Sequence, residues 1–195
     1  MKIYEYPSYE DYVAAQVKAN KEKVGKIVYV QEQTILSICR HHRSNMLPLD
    51  NILCHGTRDA TEQLFFTKAV PTAKLIIGSE ISDNADNYPM TVQHDFNKVK
   101  DSWIGKFDVI YSNSFDHSIT PYETIKVWLD QLNANGRLYI EWSETQNNRG
   151  VIESDPLNAS YDEVKRMIIL GGGIFDASFE GGKHNGVVIV ARKAL

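Results

Sequence analysis

Cysteine is scarce in this chain: two among 195 residues, Cys39 and Cys54. Two thiols on apolar segments make no disulfide framework, and a cytosolic setting fits them best. A chain of this length buries roughly 70% of its unfolded surface on folding, so it needs neither disulfide nor metal staple. No run of about 18 apolar residues occurs, so no membrane-spanning helix is expected. Residues 1–12 mix charges with aromatics and lack the apolar stretch of a secretory signal. Basic charge is not in excess: 21 Lys and Arg stand against 25 Asp and Glu, a net charge of −4. Such a chain lacks the electrostatic footprint of a nucleic-acid binder, and no nucleic-acid partner is expected. Internal repeats and low-complexity stretches are absent too. The 43% hydrophobic and 24% charged composition marks a globular domain.

What is present is an alternation of periods. Residues 8–24 read as a helix capped by Ser8, with Tyr9, Tyr12, Val13 and Val17 on one face. Residues 31–43 give a second helix, ending before Pro48. From residue 51 strands and helices alternate. Strands are expected at 52–55, 75–79, 90–94, 107–112 and 137–142. Helices are expected over 59–70, with Leu64, Phe65 and Ala69 inward, over 121–132, and over 161–170. Pro121 suits a first helical turn, Asn135-Gly136 a turn before the fifth strand, and Gly171 to Gly173 a helix stop. Residues 174–191 read as a hairpin turning at 181–186. The pattern predicts an α/β fold: a mainly parallel sheet with helices on both faces and an antiparallel terminal hairpin. Residues 1–50 form a helical extension or cap, and residues 51–195 the main domain. The polar segment 145–158 is either a mobile substrate loop or a plain connection.

Open α/β sheets bind ligands beyond the carboxyl ends of their strands. The residues there are Gly56, Glu80, His94-Asp95-Phe96 and the run from Asn113 to His117. A glycine at 56 lets backbone approach a ligand closely. A carboxylate at 80 can accept both hydroxyls of a ribose. Asp95 suits an adenine amino group, and Phe96 can cover the ring. Asp108 opens its strand, far from that end, and reads as structural. The run Cys39-Arg40-His41-His42 lacks a second ligand pair, so no metal is assigned.

The ordered series ILCHGTRDATE, LIIGSEIS, VQHDF, FDVIYSNSFDH and LNANGRLYIEW resembles the class I S-adenosylmethionine (SAM)-dependent methyltransferases. It is most similar to the small-molecule, methyltransferase type 11-like members, with Asp116-His117 after the fourth strand and a turn at residues 132–138 before the fifth. The resemblance covers residues 51–142 and the terminal hairpin. It implies a Rossmann-like methyltransferase fold with a seven-stranded sheet, and SAM as cofactor. It places Gly56 under the methionine part of SAM, in a cofactor loop with Thr57 and Arg58. It gives Glu80 to the ribose, Asp95 to the adenine amino group with Phe96 beside it, and Asn113 to the methionine carboxylate or amine. The sequence departs from the family at the loop. Cys54 stands where an acidic residue is usual, and Arg58 and Ala60 where glycines are common. Arg58 then either points to solvent or pairs with the SAM carboxylate.

The resemblance implies methyl transfer to O or N of a small-molecule acceptor, since no inserted recognition domain is present. That chemistry needs alignment and an unprotonated nucleophile. A base helps when the acceptor is a hydroxyl or an ammonium, and His117 or Asp116 can serve; alternatively His117 packs at a helix start. Glu141, Trp142 and Glu144 follow the fifth strand and can line the acceptor side. Tyr12, Gln16, Asn20 and Lys21 recur about once per helical turn, as a lid over the cofactor or as a solvated face. Two other functions compete: a non-catalytic SAM-binding or partner subunit, and an NAD-dependent oxidoreductase. The latter wants G-x-G-x-x-G against a pyrophosphate, and only Gly56 is present.

Overall fold

The computed structural model describes residues 1–183 and 186–194, with the side chains of all of these but 146 and 147. The chain runs β1 (Lys2–Ile3), α1 (Tyr9–Lys23), α2 (Glu32–Ser44), β2 (Asn51–His55), α3 (Thr61–Ala69), β3 (Leu75–Glu80), β4 (Thr91–Gln93) and β5 (Phe107–Ser112). It continues through α4 (Pro121–Gln131), β6 (Leu132–Trp142), the short α5 (Glu144–Asn147), β7 (Leu157–Asn158), α6 (Tyr161–Leu170), β8 (Gly173–Glu180) and β9 (Val187–Lys193).

Seven strands form one sheet in the order β4-β3-β2-β5-β6-β9-β8. The five from β2 to β6 pair in parallel, and β9 is antiparallel to both β6 and β8. This is the expected mainly parallel sheet with its terminal hairpin. Of the hairpin's turn, His184 and Asn185 lie outside the described residues. The chain winds outward from β2 in one direction and from β5 in the other, so the crevice between their carboxyl ends is the switch point at which such sheets take ligands.

Helices cover both faces because a parallel strand must be apolar on both. Every residue of β5 is buried. Ile110 packs in one cluster with Ile125, Trp128 and Met167 of α4 and α6. Val109 and Tyr111 pack in the other with Ile35, Ile38 and Phe66 of α2 and α3. Burying each of these large apolar side chains contributes roughly 1.5–3 kcal/mol. Asp108 is structural, as expected: one carboxylate oxygen accepts from the backbone N–H groups of Asp50 and Asn51, the other from the Asn133 amide. Among the described residues, no helix is long and apolar enough to cross a membrane.

Three local expectations are corrected. First, α1 turns Tyr12, Ala15, Gln16, Ala19 and Asn20 inward, whereas Tyr9 is 38% exposed and Val13 and Val17 are half-buried. The two alanines let the helix come close, and the two amides find polar partners. Second, α3 buries Glu62, Gln63 and Phe66 and leaves Leu64 50% exposed. Gln63 donates to Thr57 Oγ1 and Thr91 Oγ1, both at 3.1 Å. Gly78 makes room for it, since a Cβ there would stand 2.0 Å from Gln63 Nε2. Third, Asn135-Gly136 is no turn but lies inside β6, where the register shifts from Phe107↔Leu132 to Val109↔Arg137. The segment 145–158 is partly structured: it holds the end of α5 and the β7 strand that pairs with β1.

Candidate active site

β2 ends in His55 and turns at Gly56, whose φ of +74° is the left-handed conformation glycine permits. A Cβ at this position would lie 2.6 Å from Ser114 Cβ, so only a glycine lets the loops after β2 and β5 touch. Arg58 and Ala60, at φ +38° and +63°, hold the same conformation without being glycine. Two residues with side chains thus take the left-handed backbone that glycine favours.

Two connected spaces open at this crevice. The inner pocket, about 490 Å³, lies beneath α1 and is lined by Gly56, Glu80, Asp95 and Phe96. Glu80 is 6% exposed. Its Oε2 accepts from the Arg58 N–H at 3.0 Å and its Oε1 from the Ser82 N–H at 2.9 Å. Each oxygen keeps a lone pair for a hydroxyl. Asp95 accepts from the backbone and side chain of Asn97 and from Tyr9 Oη at 2.7 Å. Phe96 packs edge-on against Trp128, whose Nε1–H donates to the Phe96 carbonyl. The outer chamber, about 1120 Å³ and open to solvent, is lined among others by Glu62, Asn113, Asp116, His117 and Glu141.

Helix α1 bears on both spaces. Tyr12, Gln16 and Asn20 line the inner pocket, whereas Lys21 lies outside it and pairs with Asp83. Gln16 Oε1 sits 2.7 Å from His117 Nδ1, and Tyr12 Oη donates to the His117 carbonyl at 3.3 Å. An amide oxygen accepts only, so Nδ1 carries the hydrogen of this contact. Nε2 lies 3.6 Å from Asp155 and 3.9 Å from Asp116. Asp116, His117 and Asp155 thus bring one ligand-type atom each within 4.8 Å of one another, with the Lys23 ammonium 3.7 Å from Asp155. Burial raises the Asp116 carboxyl.

Eight of the nine residues expected to form the site therefore line one or both spaces: Gly56, Arg58, Glu80, Asp95, Phe96, Asn113, Asp116 and His117. Thr57 does not. It is 1% exposed and its hydroxyl accepts from Gln63. Arg58 meets the wall rather than open solvent: its Nη1 donates to the Ile27 carbonyl at 3.1 Å, and its guanidinium stands 5.2 Å from the Tyr29 ring centre.

No protein-family model and no curated protein matches the sequence. Solved structures do match in shape. The chain superposes on magnesium protoporphyrin IX methyltransferase from Synechocystis, crystallised with SAM, at TM-score 0.65 and 12% identity, covering 97% of this chain and 100% of that one. It also superposes on a 1,6-didemethyltoxoflavin-N1-methyltransferase from Burkholderia thailandensis, with S-adenosylhomocysteine bound, at TM-score 0.71 and 12% identity, over 99% and 94%. A SAM-dependent methyltransferase from Clostridium acetobutylicum gives 0.67 at 11% identity, over 96% and 99%. This is the class I SAM-dependent methyltransferase fold.

Within that methyltransferase fold, two acids, Glu62 buried and Glu141 half-buried, extend the site beyond the expected set. Glu141, already noted after the fifth strand, accepts from Tyr111 Oη at 2.5 Å, and burial lifts its carboxyl to about 7. Glu62, one residue into α3, is lifted by burial to about 8. Its sequence signal is faint, an acid at a helix start, and reading α3 by its apolar period turned it outward.

Proposed function

We propose that this chain is a SAM-dependent methyltransferase acting on O or N of a small-molecule acceptor. One observation carries the reading: a flexible-backbone glycine, a ribose-type carboxylate, an adenine-type carboxylate and an aromatic ring line one pocket at the sheet's switch point. Glu80 accepts the ribose hydroxyls, Asp95 the adenine amino group, and Phe96 covers the ring. Gly56 passes beneath the methionine portion, with Arg58 in the same loop, and Asn113 stands at the mouth. SAM supplies an electrophilic methyl group on a sulfonium; the chain's residues hold and align it. His117, whose Nδ1 is held by Gln16, or Asp116 takes a proton from the acceptor. Residues 1–50 act as a cap on the domain of residues 51–195.

A small-molecule acceptor fits an outer chamber lined by the loops after the strands together with residues 23 and 27–30, without an inserted module. Two of the neighbours are named for the small molecules they methylate, magnesium protoporphyrin IX and 1,6-didemethyltoxoflavin. Two buried free thiols support a cytoplasmic setting. A second reading, a non-catalytic SAM-binding or partner subunit, is favoured by the glycine-poor loop. The oxidoreductase reading has only Gly56 to offer a pyrophosphate.

Calorimetry with SAM and S-adenosylhomocysteine, on the natural chain and on Glu80→Ala, tests the proposal. Micromolar binding that Glu80→Ala abolishes supports it and warrants an acceptor screen. A folded natural chain that binds neither nucleoside removes it in favour of the partner-subunit reading.

A further inference from the structure

Glu62 is a buried acid whose partners fall short. It lines the outer chamber on the first turn of α3 and is 7% exposed. Oε1 receives a long 3.4 Å hydrogen bond from Asn113 Nδ2, and Oε2 has no partner among the described residues. Buried polar groups are nearly always hydrogen-bonded, and leaving one unmade is costly. The charged and titratable groups facing Glu62 are Arg58 and Asp59 from the loop, Cys54 from β2 and Tyr111 from β5. Arg58 is the one cation of this set, and its guanidinium is engaged with Ile27 and Tyr29. Beyond the long Asn113 bond and its own backbone N–H, the chamber wall at Glu62 therefore has acceptor capacity, at Oε2, that no donor meets among the described residues.

Position 54 explains the arrangement. Cys54 stands where sequences resembling this one carry an acid, and it is fully buried. Glu62 lies close enough to raise the Cys54 thiol further. A carboxylate is thus present at the β2 end of the crevice, supplied by the helix instead of the strand.

We propose that Glu62 receives the α-ammonium of the ligand's methionine end, in place of the carboxylate that Cys54 does not provide. The inference rests on the nucleoside reading given under the proposed function. An ammonium carries three N–H donors and a full charge, which match an under-satisfied carboxylate; a sulfonium has no hydrogen to donate. Rotation about the last Glu torsion, which is broad, brings either oxygen to the chamber wall. Because burial holds the free carboxyl protonated near neutral pH, ammonium binding ionises it and releases a proton.

Calorimetry with two probes decides the matter: S-adenosylhomocysteine, and the analogue with hydrogen in place of the α-ammonium. The natural chain should prefer the first by roughly ten- to hundredfold, the range of a charge-assisted buried hydrogen bond. Glu62→Gln should reduce that preference to about threefold or less, chiefly by weakening the amine-bearing ligand. Asp59→Asn should retain it. In buffers of different ionisation enthalpy at pH 7, the natural chain should release most of one proton on binding S-adenosylhomocysteine, and Glu62→Gln none. The probe comparison and the proton count on the natural chain stand even if the variant misfolds: equal affinity for the two probes, or no proton release, overturns the proposal. So does a Glu62→Gln chain that keeps its preference, or an Asp59→Asn chain that loses it. A natural chain that binds neither probe removes the nucleoside reading itself, a result distinct from all of these.

Discussion

The side-chain oxygen of Gln16 lies 2.7 Å from Nδ1 of His117, joining α1 to the loop after β5. The contact places the Nδ1 hydrogen on Gln16 and leaves Nε2 beside Asp116 and Asp155. A histidine held by a third group in this way is how a proton acceptor is oriented for catalysis.

His117→Asn should keep affinity for S-adenosylhomocysteine within about threefold, while turnover of an acceptor that must lose a proton falls by about 10²- to 10⁴-fold. Gln16→Leu should lower turnover less and alter the pH–rate profile, because Nδ1–H loses its acceptor. Steady-state rates across pH check both; a variant as fast as the natural chain removes His117 from proton transfer.

Ala60 sits at φ +63° and is fully buried. Ala60→Gly relieves the left-handed backbone, worth about 1–2 kcal/mol. Against that, it loses a buried methyl worth about 0.8 kcal/mol and gains about 0.4–1 kcal/mol of unfolded-state entropy. The net change should lie within about 1 kcal/mol of zero. Ala60→Val adds a β-branched side chain where such residues are outliers and overpacks a full site, costing about 2–4 kcal/mol. Urea midpoints separate the two.

Gly56→Ala should destabilise the fold by at least about 1–2 kcal/mol from the positive φ alone, and more from the 2.6 Å approach to Ser114. Because the same Cβ pushes apart the loops that frame both spaces, nucleoside binding should fall more than stability does. Denaturation and calorimetry on one preparation test that ordering.

Stability should be nearly flat between about pH 4.5 and 6.5 and fall on either side. Burial depresses His55 to about 3 and His42 to about 4. The unfolded chain takes protons below about 6.5 that the folded chain refuses, so these groups remove stability as pH drops toward 4 and then 3. Glu62 and Glu141 run the other way. Held at about 8 and about 7, they keep protons that the unfolded chain gives up above about 4.5, so their contribution is lost as pH rises through 7 and 8. Between the two windows the opposing slopes, each about 1.4 kcal/mol per pH unit per group, offset one another. Glu62→Gln should flatten the alkaline side. Urea midpoints measured from pH 4 to 9 give the profile.

The strands and their ends were legible because buried parallel strands such as FDVIYS carry an unbroken apolar signal, and ligand sites in such sheets sit where the strands stop. Gly56, Glu80 and Asp95 follow from that rule. Tyr12, Gln16 and Asn20 were visible as a once-per-turn repeat, but Lys21 does not share their face. The rest was hidden by one assumption: that the inward face of a helix is its apolar face. Helices α1 and α3 turn amides and a carboxyl toward the crevice, which is why Val13, Val17 and Leu64 misled and Glu62 escaped notice. Asp155 joins His117 through a chain reversal at residues 149–158 that no periodicity encodes.

The pairing of β1 with β7 carries a kinetic meaning. Tyr6 Oη and the Gln16 amide both donate to the Glu153 carbonyl, so α1 above the inner pocket and the segment bordering the outer chamber are laced into one piece. Ligands held in the two spaces should then exchange in step, since loosening α1 also loosens the border of its neighbour; release rates measured with each space filled alone and with both filled check this.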